Sequence, residues 1–476
     1  MMPQRAYLWS MFNKLSGEDI QALIRIVGED YVSTHSYDLE TYASDETEDL
    51  HFPPEVVVKP RTVEEISSIM QYATAGRLPV TPMGARTGLS GGALPVYGGI
   101  ALSMERFNSI LEIDERNLQV TTEPGVITEV LQEAVKAKGL FYPPDPASRG
   151  SCFIGGNVAE NSGGPKAVKY GVVKDYVLNL QIVLPNGHIL WTGANVLKNA
   201  TGYNLTQLLV GSEGTLAIIT KIVLRLIPHP KRDLLMLIPF QDPVDACAAV
   251  SAIFRAGITP SAMEFMERDA IEFVLHHNPD IHVQIPNNVQ AHLLVEVDGN
   301  EEEQLLRDCE QIAGIVEAFH AGEILFAQTE REKQDLWRMR RKVGEAVKQH
   351  SIYKEEDTVV PRAELPALLK GVKEIGARYG FRSVCYGHAG DGNLHVNILR
   401  DQLSESEWED TLKKGIAEIF RLVVNLGGTL SGEHGIGLVQ KPYMPIAFDQ
   451  VQLELFASLR KVFNPLGILN PGKVID

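Results

Sequence analysis

Between residues 51 and 230 the chain alternates short apolar runs with one clear helical stripe. Residues 53–60 form a short apolar run that ends at a proline and predict a strand. A helix opens at Thr62, where Glu65 completes a capping box, and Ile66, Ile69, Met70 and Ala73 recur at helical spacing. Pro79–Pro82 predicts the next strand, so a helix lies between strands in the α/β manner. Val177–Leu184, the turn Pro185-Asn186-Gly187 and His188–Leu190 read as strand, turn and strand. Gly211–Thr220 reads as a glycine-rich turn entering an apolar strand, while residues 15–50 read as helical and acidic.

The texture changes at Ile227-Pro228-His229-Pro230, the best linker candidate. Beyond it come the strands Leu234–Pro239 and Ala291–Val297 and helices opening at Pro243 and Glu301, so residues 231–425 read as an α+β region. A helix is predicted over Leu336–Val347 with an apolar stripe interrupted only by Arg340. A guanidinium on a buried stripe needs a carboxylate, which either an internal Asp or Glu or a bound substrate can supply; both readings stand. Arg338 and Arg341 point elsewhere and are expected in solvent. Val384–Gly387 and Leu394–Ile398 predict a hairpin with Asp391-Gly392 as its tight turn. Alternation sends Leu394, Val396 and Ile398 to one face and His395 and Asn397 to the other.

That hairpin brings His388 and His395 together, and the turn Ser431–Gly437 carries Glu433 beside His434. Two imidazoles and a carboxylate suit a divalent transition ion, zinc above others, with a position left open for substrate. The alternative is a pair of structurally hydrogen-bonded histidines. Gly84–Gly92 follows a predicted strand, and its backbone N–H groups, with the Arg86, Thr87 and Ser90 side chains, can converge on a phosphate; the alternative is a loop that needs positive φ. A second cluster, Pro143–Ser148 leading into Gly155–Gly164 and Lys169-Tyr170-Gly171, implies backbone packed closely against something flat or multiply charged.

With 44 basic and 61 acidic residues the net charge is −17, which disfavours phosphate backbones, so no nucleic-acid partner is expected. Cys152, Cys247, Cys309 and Cys385 are isolated, which fits a reducing compartment and gives no iron–sulfur motif. Residues 6–12 lack the marks of a secretory signal, and no apolar run reaches the length of a membrane span. The expectation is a soluble, cytoplasmic protein with no transmembrane segment, with peripheral contact at the inner membrane left open.

Six motifs in order then carry a resemblance: residues 82–92, 155–164, 211–215, 387–395, 431–437 and 470–473. Together they resemble the FAD-linked oxidases and dehydrogenases of the vanillyl-alcohol oxidase superfamily, with D-lactate dehydrogenase, the glycolate oxidase D subunit and D-2-hydroxyglutarate dehydrogenase as nearest kin. The resemblance implies an α+β protein. A PCMH-type FAD-binding domain of two α/β subdomains would span 51–230, preceded by a helical segment at 1–50 and completed by 426–476, with an α+β cap bearing an antiparallel sheet at 231–425. It implies noncovalent FAD held by Gly84, Arg86, Thr87, Gly88, Ser90, Gly91, Gly92, Pro144, Asp145, Ser148, Gly155, Gly156, Asn157, Asn161, Gly163, Gly164, Tyr170, Gly171, Gly214, Ile219 and Asn470. It further implies zinc, or manganese, on His388, His395 and Glu433, with Arg340 on the substrate carboxylate, His434 as base and Asn397 in the catalytic set.

The activity so implied is oxidation of a D-2-hydroxy acid to the 2-oxo acid, with hydride passing to flavin N5. Electrons would leave to an external acceptor: a quinone, a cytochrome or an electron-transfer flavoprotein. Cys152 is expected away from the flavin ring. The hydroxyglutarate enzymes carry a threonine and a downstream lysine where this chain has Gly344 and Lys354-Glu355-Glu356-Asp357, which favours lactate or glycolate over hydroxyglutarate. A flavin subunit inactive without partner chains, and a transferase like the alkyl-glycerone-phosphate synthases, are the competing readings; a homodimer or partner subunits are both left open.

Overall fold

The computed structural model describes residues 11–281, 283 and 285–475. The reading of residues 6–12 therefore lies, up to position 10, outside the described residues. The chain divides into two compact units: Met1–Ser162 with Val172–His229 and Glu433–Asp476, and Gly163–Gly171 with Pro230–Gly432.

The first unit holds a four-stranded sheet of β1 (Val32–Ser33), β2 (Val56–Val58), β3 (Val80–Met83) and β4 (Ile100–Ser103), in the order β1-β2-β4-β3. β4 runs parallel to both β2 and β3, and β1 is antiparallel at the edge. The connection between β2 and β3 is the helix Val63–Gly76, whose Thr62–Glu65 capping box forms as the sequence predicts. Ile66, Ile69, Met70 and Ala73 are all buried against β2, β3 and β4, a stripe in which each large side chain contributes roughly 1.5–3 kcal/mol. Arg77 ends the helix in a left-handed conformation. Five further strands, β5 (Ile110–Asp114), β6 (Gln119–Thr122), β8 (Val177–Val183), β9 (Ile189–Trp191) and β10 (Ile218–Arg225), form an antiparallel sheet ordered β5-β6-β10-β8-β9. β7 (Leu140–Phe141) pairs with β11 (Ile227–Pro228). Residues 15–50 are less helical than expected: helices Gly17–Val27 and Ser36–Thr41 flank β1.

The second unit is built on a seven-stranded antiparallel sheet. Its strands are β12 (Arg232–Phe240), β13 (Ala262–Glu267), β14 (Ala291–Gly299), β15 (Leu325–Phe326), β16 (Tyr353–Val359), β17 (Arg382–Gly387) and β18 (Asn393–Leu399), ordered β15-β12-β14-β13-β17-β18-β16. The mixed helix and sheet class and the antiparallel sheet are those expected. Every residue of β13 and β18 is buried, so both faces of the sheet's centre are covered. β17 and β18 form the predicted hairpin, with Tyr386 opposite His395. Its link is longer than the tight turn expected: Ala389–Asp391 makes a 3-10 turn and Gly392 follows at φ +86°. A Cβ on Gly392 would stand 1.9 Å from the Val360 carbonyl oxygen, so only glycine fits there. The helix expected over 336–347 is broken at Lys342 into Glu330–Arg341 and Val343–His350. No helix among the described residues is long and apolar enough to cross a membrane.

Candidate active site

In the second unit, period-2 alternation and antiparallel register decide which side chains meet. Asp357 of β16 and Tyr386 of β17 both stand opposite His395, and Glu355 stands opposite Asn397. These residues therefore share one face. The His388 and His395 rings lie 5.5 Å apart at their centroids, and the Tyr386 ring is 5.2 Å from His395. Both histidines are buried.

Each imidazole meets a carboxylate at Nδ1. His388 Nδ1 is 2.9 Å from both oxygens of Glu264 on β13, and His395 Nδ1 is 3.0 Å from Glu355 Oε1. A carboxylate accepting the Nδ1 proton, as Glu264 is placed to do for His388, leaves the lone pair on Nε2, the arrangement common to metal-binding histidines. The donor set thus fits a divalent cation of borderline softness. Arg340 reaches the same carboxylate, with Nη2 2.7 Å from Glu264 Oε2 and the guanidinium 5.1 Å from the Tyr386 ring centroid. The internal ion pair weighed from the sequence is therefore present. Arg340 keeps a buried Nε with no hydrogen-bond partner among the described residues. Asn397 is 0 % exposed, and the Tyr386 hydroxyl is its hydrogen-bonding neighbour. A buried donor such as Arg340 Nε costs on the order of 1–3 kcal/mol unless a ligand satisfies it. Burial, and then the nearby Glu355 carboxylate, hold the Tyr386 phenol well above its ordinary pKa, so it stays a neutral hydroxyl.

Asp357 anchors the turn that leads away from this face. Its Oδ2 accepts from Ser431 Oγ and from the Gly432 backbone N–H, both at 2.8 Å. Glu433 is one peptide bond beyond Gly432.

In the first unit a long cleft is lined by the 84–89 loop, Gly92, Ser148, Gly155, Gly156, Asn157, Gly214, Ile219, Asn470, Glu433 and His434. A Cβ added at Gly88 or Gly156 would meet nothing within 4 Å, so backbone is laid open to the cleft at both points. Arg86 and Thr87 line the cleft beside this backbone, and the residues present fit a flat, phosphorylated cofactor. Asn470 lines the cleft while its Nδ2 donates to the Gly92 and Glu213 carbonyls, tying two of the loops together. Glu160 and Glu213 also line it. Burial, and then each other's proximity and Asp45, push Glu160 well above the carboxylate range. Glu213 is pushed up to about 7 by burial, partly offset by hydrogen bonds from the Ile436 and Gly437 backbone.

Several expected cofactor residues are not among those that line the cleft. Ser90 is buried beneath Gly437, its carbonyl accepts from Leu438 and Val439, and its hydroxyl does not face the cleft. Gly91, Pro144, Asp145 and Asn161 are likewise absent from the lining. Gly163, Gly164, Tyr170 and Gly171 fall in the second unit, where Asp298 captures both the Tyr170 hydroxyl at 2.8 Å and Lys169 Nζ at 2.6 Å. Cys152, expected away from the cofactor, lines the cleft, with Sγ 3.2 Å from Thr128 Oγ1. The sequence reading missed Glu264, Glu355, Glu160 and Glu213. For Glu264 a signal was present: an acid in the middle of the otherwise apolar run Ala262-Met263-Glu264-Phe265-Met266.

Comparison with known proteins gives the family of both halves of the chain. Residues 54–193 match the FAD binding domain family, and residues 229–474 match the family of FAD linked oxidases, C-terminal domain. The glycolate oxidase subunit GlcD of Bacillus subtilis (strain 168) is 38% identical over 95% of this chain and 96% of its own length. A D-lactate dehydrogenase of Anaerostipes hadrus is 38% identical over 88% of this chain and 89% of its own. Among solved structures, p-cresol methylhydroxylase with substrate bound superposes with a TM-score of 0.79 over 96% of both chains at 17% identity, a likeness of fold alone.

Proposed function

This chain belongs to the family of FAD-linked oxidases, and on that premise we propose that it oxidises a D-2-hydroxy acid, D-lactate or glycolate ahead of D-2-hydroxyglutarate, to the 2-oxo acid. The observation that carries the proposal is Arg340: a buried guanidinium whose Nε keeps no hydrogen-bond partner among the described residues, over the Tyr386 ring on the face that carries His395 and Asn397. That face asks for a small polar ligand with a carboxylate. The relatives named for lactate and glycolate support the substrate class.

FAD bound in the cleft of the first unit, noncovalently, supplies the two-electron acceptor, and a divalent metal, zinc or manganese, supplies Lewis acidity at the substrate hydroxyl. His388 and His395 are the proposed metal ligands, with Glu433 as the third. Arg340 holds the substrate carboxylate through Nε while Glu264 holds Nη2 of the same guanidinium. Asn397 Nδ2 donates to a substrate oxygen. A ring nitrogen of His434 takes the hydroxyl proton, a placement worth roughly 10²–10⁴-fold in rate. Glu355 and Asp357 put negative charge on this face, which disfavours a second substrate carboxylate. Electrons leave to an external acceptor outside this chain.

The relative named as a glycolate oxidase subunit favours one further reading, a flavin subunit that turns over only with partner chains. A dye-coupled assay of the purified chain against D- and L-lactate, glycolate and D-2-hydroxyglutarate separates the two. Turnover with the D-acids or glycolate supports the enzyme acting alone. Substrate-induced flavin reduction without steady turnover supports the dependent subunit, and no response to any of them overturns the proposed substrate class.

A further inference from the structure

Glu264 lies at the centre of β13, 0 % exposed, in a strand buried along its whole length. A carboxylate there is held by its partners, and two of them are of different kinds. Both oxygens lie 2.9 Å from His388 Nδ1, and Oε2 also lies 2.7 Å from Arg340 Nη2. Arg340 is in turn stacked over Tyr386. The two residues that meet Glu264 carry separate proposed roles: one binds metal, the other binds the substrate's carboxylate.

We propose that Glu264 is the positioning residue of this site, fixing the ring plane and Nδ1–H tautomer of His388 for metal ligation and, through the same carboxylate, the guanidinium of Arg340 for substrate. The imidazole has only one torsion that swings it about its Cβ–Cγ bond, and an acceptor at Nδ1 removes that freedom. The ligating lone pair is then delivered on Nε2 in a set direction. The Arg340 ion pair keeps Glu264 from being a lone buried charge, whose uncompensated cost would be several kcal/mol. Ligand and clamp are thereby set by one joint, and a shift of either is felt by the other.

This inference rests on the metal reading above. Its test is zinc affinity, measured by chelator competition on the FAD-loaded, metal-stripped protein for wild type, Glu264→Gln and Glu264→Ala, with FAD content and thermal midpoint recorded alongside. Glu264→Ala is expected to lose roughly 10–100-fold in zinc affinity while keeping its FAD. Glu264→Gln, which retains one oxygen able to accept from Nδ1–H, is expected to lose less, and this graded rescue separates positioning from mere support of the fold. If Glu264→Ala does not fold, the Gln variant alone carries the test. Zinc affinity within twofold of wild type in folded Glu264→Ala, or in Glu264→Gln where the Ala variant does not fold, overturns the inference while leaving the metal reading standing. Wild type that binds no stoichiometric metal overturns the metal reading, and the inference with it.

Discussion

Replacing Arg340 by lysine tests which of its two partnerships matters to the reaction. The guanidinium is 6 % exposed, pairs with Glu264 at 2.7 Å, lies over the Tyr386 ring and keeps Nε without a partner. Lysine preserves a positive charge against Glu264, so no buried carboxylate is stranded. It loses the stacked, planar group, about 1 kcal/mol, which for a unit of this size is a fall of roughly 2–4 °C in thermal midpoint. It also loses the second directed donor. One charge-assisted hydrogen bond to a substrate carboxylate is worth about 1.5–3 kcal/mol, or roughly 10- to 150-fold in kcat/KM. Steady-state dye reduction and thermal melts in the same buffer measure both effects. A melt shifted as described with kcat/KM unchanged would refute the clamp and leave Arg340 as the internal ion-pair partner only.

His395→Ala should abolish stoichiometric metal binding while the protein remains yellow, because the cleft-lining glycine loops belong to the other unit; metal analysis after dialysis checks this, and full activity at undetectable metal would contradict it. Burial, and then Arg268, lower the pKa of His292 from 6.5 to about 4, so its contribution is whole above pH 6.5 and lost as pH falls through 4. His292→Leu should therefore flatten the fall in stability across that window by up to about 3 kcal/mol, and a denaturant series at pH 7, 5.5 and 4 reads it; parallel curves for the two proteins would contradict the assignment. Acid precipitation should release the flavin into the supernatant, even though Cys152 lines the cleft; colour kept in the pellet would show a covalent tether.

What was legible in the sequence was local. The Thr62–Glu65 box and the stripe 66, 69, 70, 73 need only neighbours along one helix, and both form as read. Alternation placed His395 with Asn397, and the hairpin follows from two short strands. What escaped depends on register between distant strands. Glu264 reaches His388 across 124 positions, and Glu355 reaches His395 because β16 inserts beside β18 at the sheet's edge, which no window on the chain reveals. Just beyond the break at Lys342 the chain passes close to Tyr386, where a Cβ at Gly344 would stand 3.2 Å from the hydroxyl. Motif glycines were the least specific guides. Gly88 and Gly156 open backbone to the cleft, whereas a Cβ at Gly155 would meet Pro124 at 2.4 Å, and that glycine serves packing as much as any ligand.

The central claim, that this chain passes electrons from a 2-hydroxy acid to its flavin, is tested most directly by adding D-lactate or glycolate to the purified, FAD-loaded protein without oxygen and following the flavin absorbance. The account predicts that the yellow colour bleaches with the hydroxy acid and returns on adding a quinone-like dye, and that L-lactate has no such effect. Flavin that stays oxidised with D-lactate, glycolate and D-2-hydroxyglutarate alike, yet is reduced by dithionite, would contradict it.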